Sequence, residues 1–199
     1  MRITKYTHAC VRLEQDRRVL VIDPGEWSEL DALEGADAVL VTHQHYDHVD
    51  PLRLAGLGVP VFAPVDAEID GPTITRVRSG QEFTAAGFHV RPVGARHAVT
   101  YAGQPDCANL GYIVDGSVYH PGDALHVPDQ PVETLLVPAH APWLKLAEAI
   151  DFVRAVRPQR TFPIHDAMLS EKGRASVGAW IGRETETSFR YLAAGETVG

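Results

Sequence analysis

Cysteine is scarce in this chain of 199 residues: only Cys10 and Cys107 occur. Two thiols in a chain this long build no disulfide framework, and both are expected to be reduced, partly buried small residues. Basic residues are also few. Lysine and arginine total 18 against 26 acidic residues, a formal net charge of −8. Without a cationic stripe to neutralise phosphates, a nucleic-acid partner is not expected. Long apolar runs are missing as well. No stretch approaches the roughly 18 residues of a membrane span, and the start Met1-Arg2-Ile3-Thr4-Lys5 lacks the roughly 7–15 apolar residues of a signal peptide. A cytoplasmic location is the expectation. No repeat, low-complexity tract or linker interrupts the chain, so one domain over residues 1–199 is expected.

The chain does contain an ordinary globular composition, with 45% apolar and 22% charged residues, enough to bury a core. Short β-rich segments dominate the first half: Arg2–Thr7, Cys10–Glu14, Val19–Ile22, Val39–Thr42, Val59–Phe62, Ile74–Arg78 and Phe88–Val93. Turn signals such as Asp23-Pro24-Gly25, Asp70-Gly71-Pro72 and Ser79-Gly80 separate them. Asp50 before Pro51 reads as an N-cap with proline at the first helical position, opening a helix to about Ala55. Leu110–Val114 and Val118–His120 bracket Asp115-Gly116, a two-residue hairpin signal. The second half adds strands at Thr134–Val137, Arg160–Ile164 and Phe189–Leu192, with helices from about Trp143 to Arg157 and over Ser170–Arg183. Strands in series broken by helices predict sheets sandwiched between helices.

Chemistry concentrates at residues 42–50, Thr-His-Gln-His-Tyr-Asp-His-Val-Asp. In extended backbone His43 and His45 point the same way and can grip one ion. After the turn, Asp47 and His48 can face a second. A single ion rarely needs all four groups from one short segment, so the segment predicts two metals. Further ligands are expected at strand ends: His97 after Phe88–Val93, Asp123 after the Asp115-Gly116 hairpin, and His165 after Arg160–Ile164. His43, His45 and His97 would hold one ion, and Asp47, His48 and His165 the other, with Asp123 as bridge. Two such ions roughly 3.5–4 Å apart can share a water and lower its pKa towards about 7.

Taken together, this cluster, the separate His97, the Gly122-Asp123 pair and the late His165 resemble the metallo-β-lactamase-fold hydrolase superfamily. The start Thr7-His8-Ala9-Cys10-Val11-Arg12-Leu13-Glu14 is similar to its small branch of L-ascorbate-6-phosphate lactonase and N-acylethanolamine phospholipase D type proteins. The resemblance implies an α+β protein, a four-layer αβ/βα sandwich of two mixed sheets flanked by helices, with metals at the edge between the sheets. Aspartate stands at position 123, where secreted β-lactamases of this fold carry cysteine. The chain is also too short for the helical addition of glyoxalase II, or for the inserted domains of the RNA-processing branches.

The reading is a dinuclear metal-dependent hydrolase that attacks an ester-like bond with a metal-bridging hydroxide, lactone or phosphodiester being favoured. Zinc suits the nitrogen-rich ligand set, with manganese or iron also compatible. The substrate is expected to be a small molecule, an anionic one included, and an oligomer is not excluded. Asp23 is expected to orient a ligand imidazole. His8 and Tyr46 are candidates to touch substrate or metal. His140, at a helix start suited to anions, and Lys145 on its first turn are candidates to assist. Leaving-group protonation falls to Asp47, to metal-bound water or to His140. His89, His120 and His126 carry no supporting pattern, and Asp166 reads as a turn residue. Pocket walls are expected from residues 101–108 and 138–143. The rival readings are an iron-dependent oxygenase or redox protein on the same fold, and a non-catalytic metal-binding protein.

Overall fold

The computed structural model describes residues 1–104 and 107–199. Two seven-stranded sheets face each other. The first holds β1 (Arg2–Lys5), β2 (Val11–Gln15), β3 (Arg18–Ile22), β4 (Ala38–Leu40), β5 (Val61–Pro64), β6 (Ile74–Val77) and, at its far edge beside β1, β14 (Thr197–Val198). The second holds β7 (Phe83–Ala85), β8 (Phe88–Val93), β9 (Gly111–Val114), β10 (Val118–His120), β11 (Thr134–Pro138), β12 (Arg160–Ile164) and β13 (Ser188–Phe189). Each sheet joins an antiparallel half to a parallel half: β1 to β3 alternate and β3 to β6 run parallel, while β7 to β10 alternate and β10 to β13 run parallel. The architecture is the expected α+β sandwich of two mixed sheets.

Period-2 alternation sorts the side chains into layers. Leu20, Ile22, Ala38, Leu40, Tyr112, Val114 and Leu136 point into the core between the sheets. Val19, Val21, Val39 and Val41 point the other way, against Leu33 of a short 3-10 turn and Leu54 of α1 (Pro51–Ala55). On the opposite outer face Ile113, Leu135 and Val137 pack on α2 (Leu146–Val156) and α3 (Glu171–Glu184) through Phe152, Val153, Val177 and Ile181. Among the described residues no helix is long and apolar enough to cross a membrane.

Several boundaries differ from expectation, each for a local reason. β4 stops at Leu40 rather than Thr42 because the Asp23 carboxylate takes the Thr42 amide at 2.7 Å. Asp50 caps α1 as expected, accepting from the amides of Leu52 and Arg53. The helix expected from Trp143 begins at Leu146, after the Glu148 carboxylate binds the Lys145 amide at 2.8 Å. The expected last strand Phe189–Leu192 shrinks to Ser188–Phe189. β7 and β14 were not expected. β7 turns into β8 through Ala86 and Gly87, both at positive φ, where alanine hid the turn signal. β14 is two residues whose pairing with β1 bridges nearly the whole chain.

The ends of β3, β4, β8, β10 and β12 all lie at one edge of the sandwich, and two loops there fix each other. Glu26 donates to the Tyr46 carbonyl at 2.9 Å and Asp50 to that of Pro24 at 3.1 Å. A Cβ on Gly25 would sit 2.0 Å from the Asp47 carbonyl oxygen, a backbone atom with nowhere to go. Gly25→Ala is therefore expected to cost about 3 kcal/mol, the upper range for overpacking, in denaturant unfolding. An unchanged midpoint would show that the two loops do not meet as described.

Candidate metal centre

Each histidine that ends a strand here has one ring nitrogen tied down by the chain. His48 Nδ1 donates to Asp23 Oδ2 at 2.7 Å, and His165 Nδ1 donates to the His140 carbonyl at 2.6 Å. His97 Nδ1 donates to the Ala98 carbonyl at 2.5 Å. His43 Nδ1 lies 3.0 Å from Thr42 Oγ1, which itself donates to Asp23 Oδ2 at 2.7 Å; the threonine oxygen thus accepts from the imidazole. These bonds make Nδ1 the donor in each ring and leave each Nε2 facing inward, where it can bind a metal once any proton on it is displaced.

The free nitrogens converge on Asp123. Its Oδ1 lies 3.1 Å from His48 Nε2, and its Oδ2 lies 3.0 Å from His165 Nε2 and 3.4 Å from His97 Nε2. Yet His43 Nε2, His48 Nε2, His165 Nε2 and Asp123 Oδ1 are buried without a hydrogen bond. A buried polar atom left so is costly unless something else binds it. Three groups of potential ligand atoms, each within 4.8 Å of one another, overlap here: His43, His45 and His97; His8, Asp47, His48 and His165; and His43, His48 and Asp123. The donor set fits a pair of divalent cations.

Electrostatics agree. Burial, then the neighbouring His48, holds His43 well below the usual imidazole range. Burial would also lower His48, but the charges of Asp123 and Asp23 on either side push it well above. Burial would raise Asp123, and the charges of His48 and His165 outweigh it. Asp47 is likewise disfavoured by burial, but the His8 hydrogen bond and nearby imidazoles bring it to about 2.

All seven expected ligands, His43, His45, Asp47, His48, His97, Asp123 and His165, meet at this edge, and His8 joins the second group. Asp23 orients His48 as expected. Tyr46 lies at the mouth, stacked edge-on against Trp27 at 5.7 Å. His140 and Lys145 do not come in as expected: His140 contributes its carbonyl, and its ring lines neither cavity at the centre. Lys145 is exposed ahead of α2, whose first amide is already capped by Glu148.

Other residues went unread in the sequence. His120, taken as an ordinary polar residue, is fully buried; its Nε2 donates to the Ala9 carbonyl at 2.8 Å and its Nδ1 accepts from Gly122. Trp143 Nε1 donates to Asp123 Oδ2 at 3.0 Å. Asn109 receives the Asp123 amide at 3.0 Å. Asp166 opens a turn, as expected, its carbonyl accepting the Leu169 amide at 3.1 Å, and its side chain is also half of a buried ion pair with Lys5 at 2.9 Å. Only the run His120-Pro121-Gly122-Asp123 hinted at the first of these. Cys10 is buried and Cys107 half-buried, and neither forms a disulfide.

Residues 2–165 match the family model described as beta-lactamase superfamily domain. The chain belongs to that superfamily. Protein Rv0786c of Mycobacterium tuberculosis is 39% identical over 207 residues, covering 96% of each chain. A UPF0173 metal-dependent hydrolase of Ruegeria sp. is 31% identical over 142 residues, covering 64% of this chain and 62% of that one. Among solved structures, Igni18, a metallo hydrolase of Ignicoccus hospitalis, superposes with TM-score 0.78 at 21% identity over 99% of this chain and 97% of its own.

Asp23→Asn removes an acceptor of His48 while keeping the size of the side chain. Divalent-cation affinity is expected to fall about 10–100-fold, the usual cost of losing a partner behind a ligand, in chelator competition with circular dichroism unchanged. Equal affinity would remove Asp23 from the centre.

Proposed function

We propose that the chain is a metal-dependent hydrolase with a dinuclear centre, in which His43, His45 and His97 hold one cation, Asp47, His48 and His165 the other, and Asp123 bridges them. The observation that carries this is the convergence of hydrogen-bond-free Nε2 atoms of His43, His48 and His165 on the carboxylate of Asp123. Family membership and a relative named as a metal-dependent hydrolase point the same way. Zinc suits the nitrogen-rich set, and manganese or iron is admitted by the carboxylates. Bound cations would lower the pKa of a water and polarise the oxygen of the bond to be cleaved.

The chain's own groups do the rest. Asp23, Thr42, Ala98 and His140 hold the imidazoles in one tautomer, so no reorganisation accompanies the reaction. Trp143 holds the Asp123 carboxylate by its second oxygen. Asp47 faces the mouth with His8 Nε2 behind it at 3.1 Å, and this pair, rather than His140, is placed to manage the leaving-group proton. The bond is ester-like, a lactone or a phosphodiester, and the lactonase-like branch is proposed from Thr7–Glu14. We place the protein in the cytoplasm as a single domain acting on a small molecule. An iron-dependent oxygenase could use the same ligands, since fold alone does not set chemistry.

Metal-loaded protein is expected to bind two divalent ions per chain and to hydrolyse lactones, esters or phosphodiesters in a screen. His43→Ala and Asp123→Ala should each bring that hydrolysis to background. Oxygen consumption with iron and no hydrolysis would transfer the assignment to the oxygenase, and protein unable to acquire metal would remove it altogether.

Acid should weaken the metal. His48 and His97 have raised pKa values in the metal-free state, so an incoming cation must displace their protons. Affinity is then highest above their range and falls, by up to about tenfold per pH unit for each proton displaced, as pH drops through it. Calorimetry in buffers of different ionisation enthalpy should show net proton release near neutral pH. Zero release would mean that these imidazoles are not ligands.

A further inference from the structure

Two cavities open over the centre. One, of about 310 Å³, is lined by His45, His97, Val99, Thr100, Tyr101 and Cys107, with Ala98 and Gln104. The other, of about 280 Å³, adds Tyr46, Pro142 and Trp143 to Asp47, Asp123 and His165. They share His45, His97 and Thr100, so they form one groove crossing the ligand cluster. Residues 105 and 106, inside the loop expected to wall it, lie outside the described residues.

Three observations bear on what fits there. Among the described lining residues there is no lysine or arginine, and the only carboxylates are the proposed ligands Asp47 and Asp123. The groove wall exposes large apolar side chains to solvent, Val99 and Tyr101 each at 72% and Tyr46 at 56%. Clustered exposure of this kind at a cavity marks a binding surface. The helix start expected to attract anions is unsuited to it, because Glu148 already occupies the amide ahead of α2.

We propose that the groove takes an uncharged carboxyl ester or lactone carrying an apolar arm, with the arm seated against Val99, Tyr101 and Cys107 and the acyl carbon over Asp123. This rests on the hydrolase reading above and selects within it: the phosphodiester alternative falls away. The reaction adds water to the acyl carbon, breaks the acyl C–O bond and protonates the departing alkoxide, so acid and alcohol form with no redox partner. The arm's contribution is burial of its methylenes, about fourfold in affinity for each CH₂ removed from water.

The test uses zinc-loaded full-length protein and a series of n-alkyl hydroxamic acids from acetyl to octanoyl, which are uncharged in solution and direct their polar end to metal. Calorimetry should show affinity rising up to about fourfold per added methylene over the first members. Tyr101→Asp should flatten that slope at least tenfold by hexanoyl. Leu52→Asp, replacing an exposed side chain on α1 outside the groove, should leave it. Matched n-alkyl phosphonates should bind more weakly, and 4-nitrophenyl hexanoate should exceed both 4-nitrophenyl acetate and bis(4-nitrophenyl) phosphate in kcat/KM. A flat hydroxamate series, a slope indifferent to Tyr101→Asp, or a preference for phosphonate and phosphodiester would overturn the assignment while leaving a metal hydrolase in place. Protein that takes up zinc yet binds no hydroxamate would also overturn it. Failure to take up zinc would instead bring down the hydrolase reading itself.

Discussion

Asp23 is a buried carboxylate in a backbone conformation that L-residues avoid, with φ at 52°, and it is held there by what it binds. Its amide bonds the Leu40 carbonyl at 3.0 Å, one oxygen takes the Thr42 amide, and the other takes Thr42 Oγ1 and His48 Nδ1. Left-handed backbone costs about 1–2 kcal/mol, and hydrogen bonds to an ionised acceptor offset that several times over. The same bonds end β4, start the ligand loop and fix the tautomers of His48 and, through Thr42, His43. Structure and chemistry at this edge therefore share one set of hydrogen bonds, and neither can relax without the other.

The two sheets are joined at the same place. His165 donates its amide to the His8 carbonyl at 3.0 Å, Leu110 to Thr42 at 2.9 Å, and Tyr112 Oη to Val41 at 2.9 Å. His120 adds its bond to Ala9. Through the interior the sheets meet by apolar side chains, which pack tightly but tolerate small slides; directional bonds do not. Concentrating them beside the candidate ligands holds two independently built edges in register. The cost is a pocket of buried imidazoles and carboxylates whose polar atoms lack hydrogen bonds. Cation binding then stabilises the folded chain in proportion to its affinity.

Much of the candidate centre was legible because its expected ligands obey local geometry. His43 and His45 are two apart on an extended segment, Asp47 and His48 follow at the turn, and His97, Asp123 and His165 each close a recognisable strand. The alternating apolar segments gave the sheets for the same reason. What was not legible depends on partners distant in the chain. Trp143 reaches Asp123, Lys5 reaches Asp166, and β14 reaches β1, and no spacing in the sequence encodes those meetings. His140 misled because a helix start beside the pocket suggested an assisting ring, whereas it is the carbonyl that the fold delivers to His165.

The Lys5–Asp166 pair shows why such distant partners matter. His165 sits at positive φ, 55°, directly before Asp166, so the turn that aims its imidazole is strained and needs an anchor. Asp166 supplies it by meeting Lys5 at 2.9 Å with both side chains almost wholly buried, while Lys5 Nζ also donates to the Tyr6 carbonyl and Arg174 lies 3.5 Å from the second carboxylate oxygen. A buried ion pair gives little net stability, because desolvation consumes most of the attraction. Its value lies in direction. An apolar pair of equal volume would pack as well but would let the turn after β12 rotate, and a rotation of that turn would swing the His165 nitrogen away from Asp123.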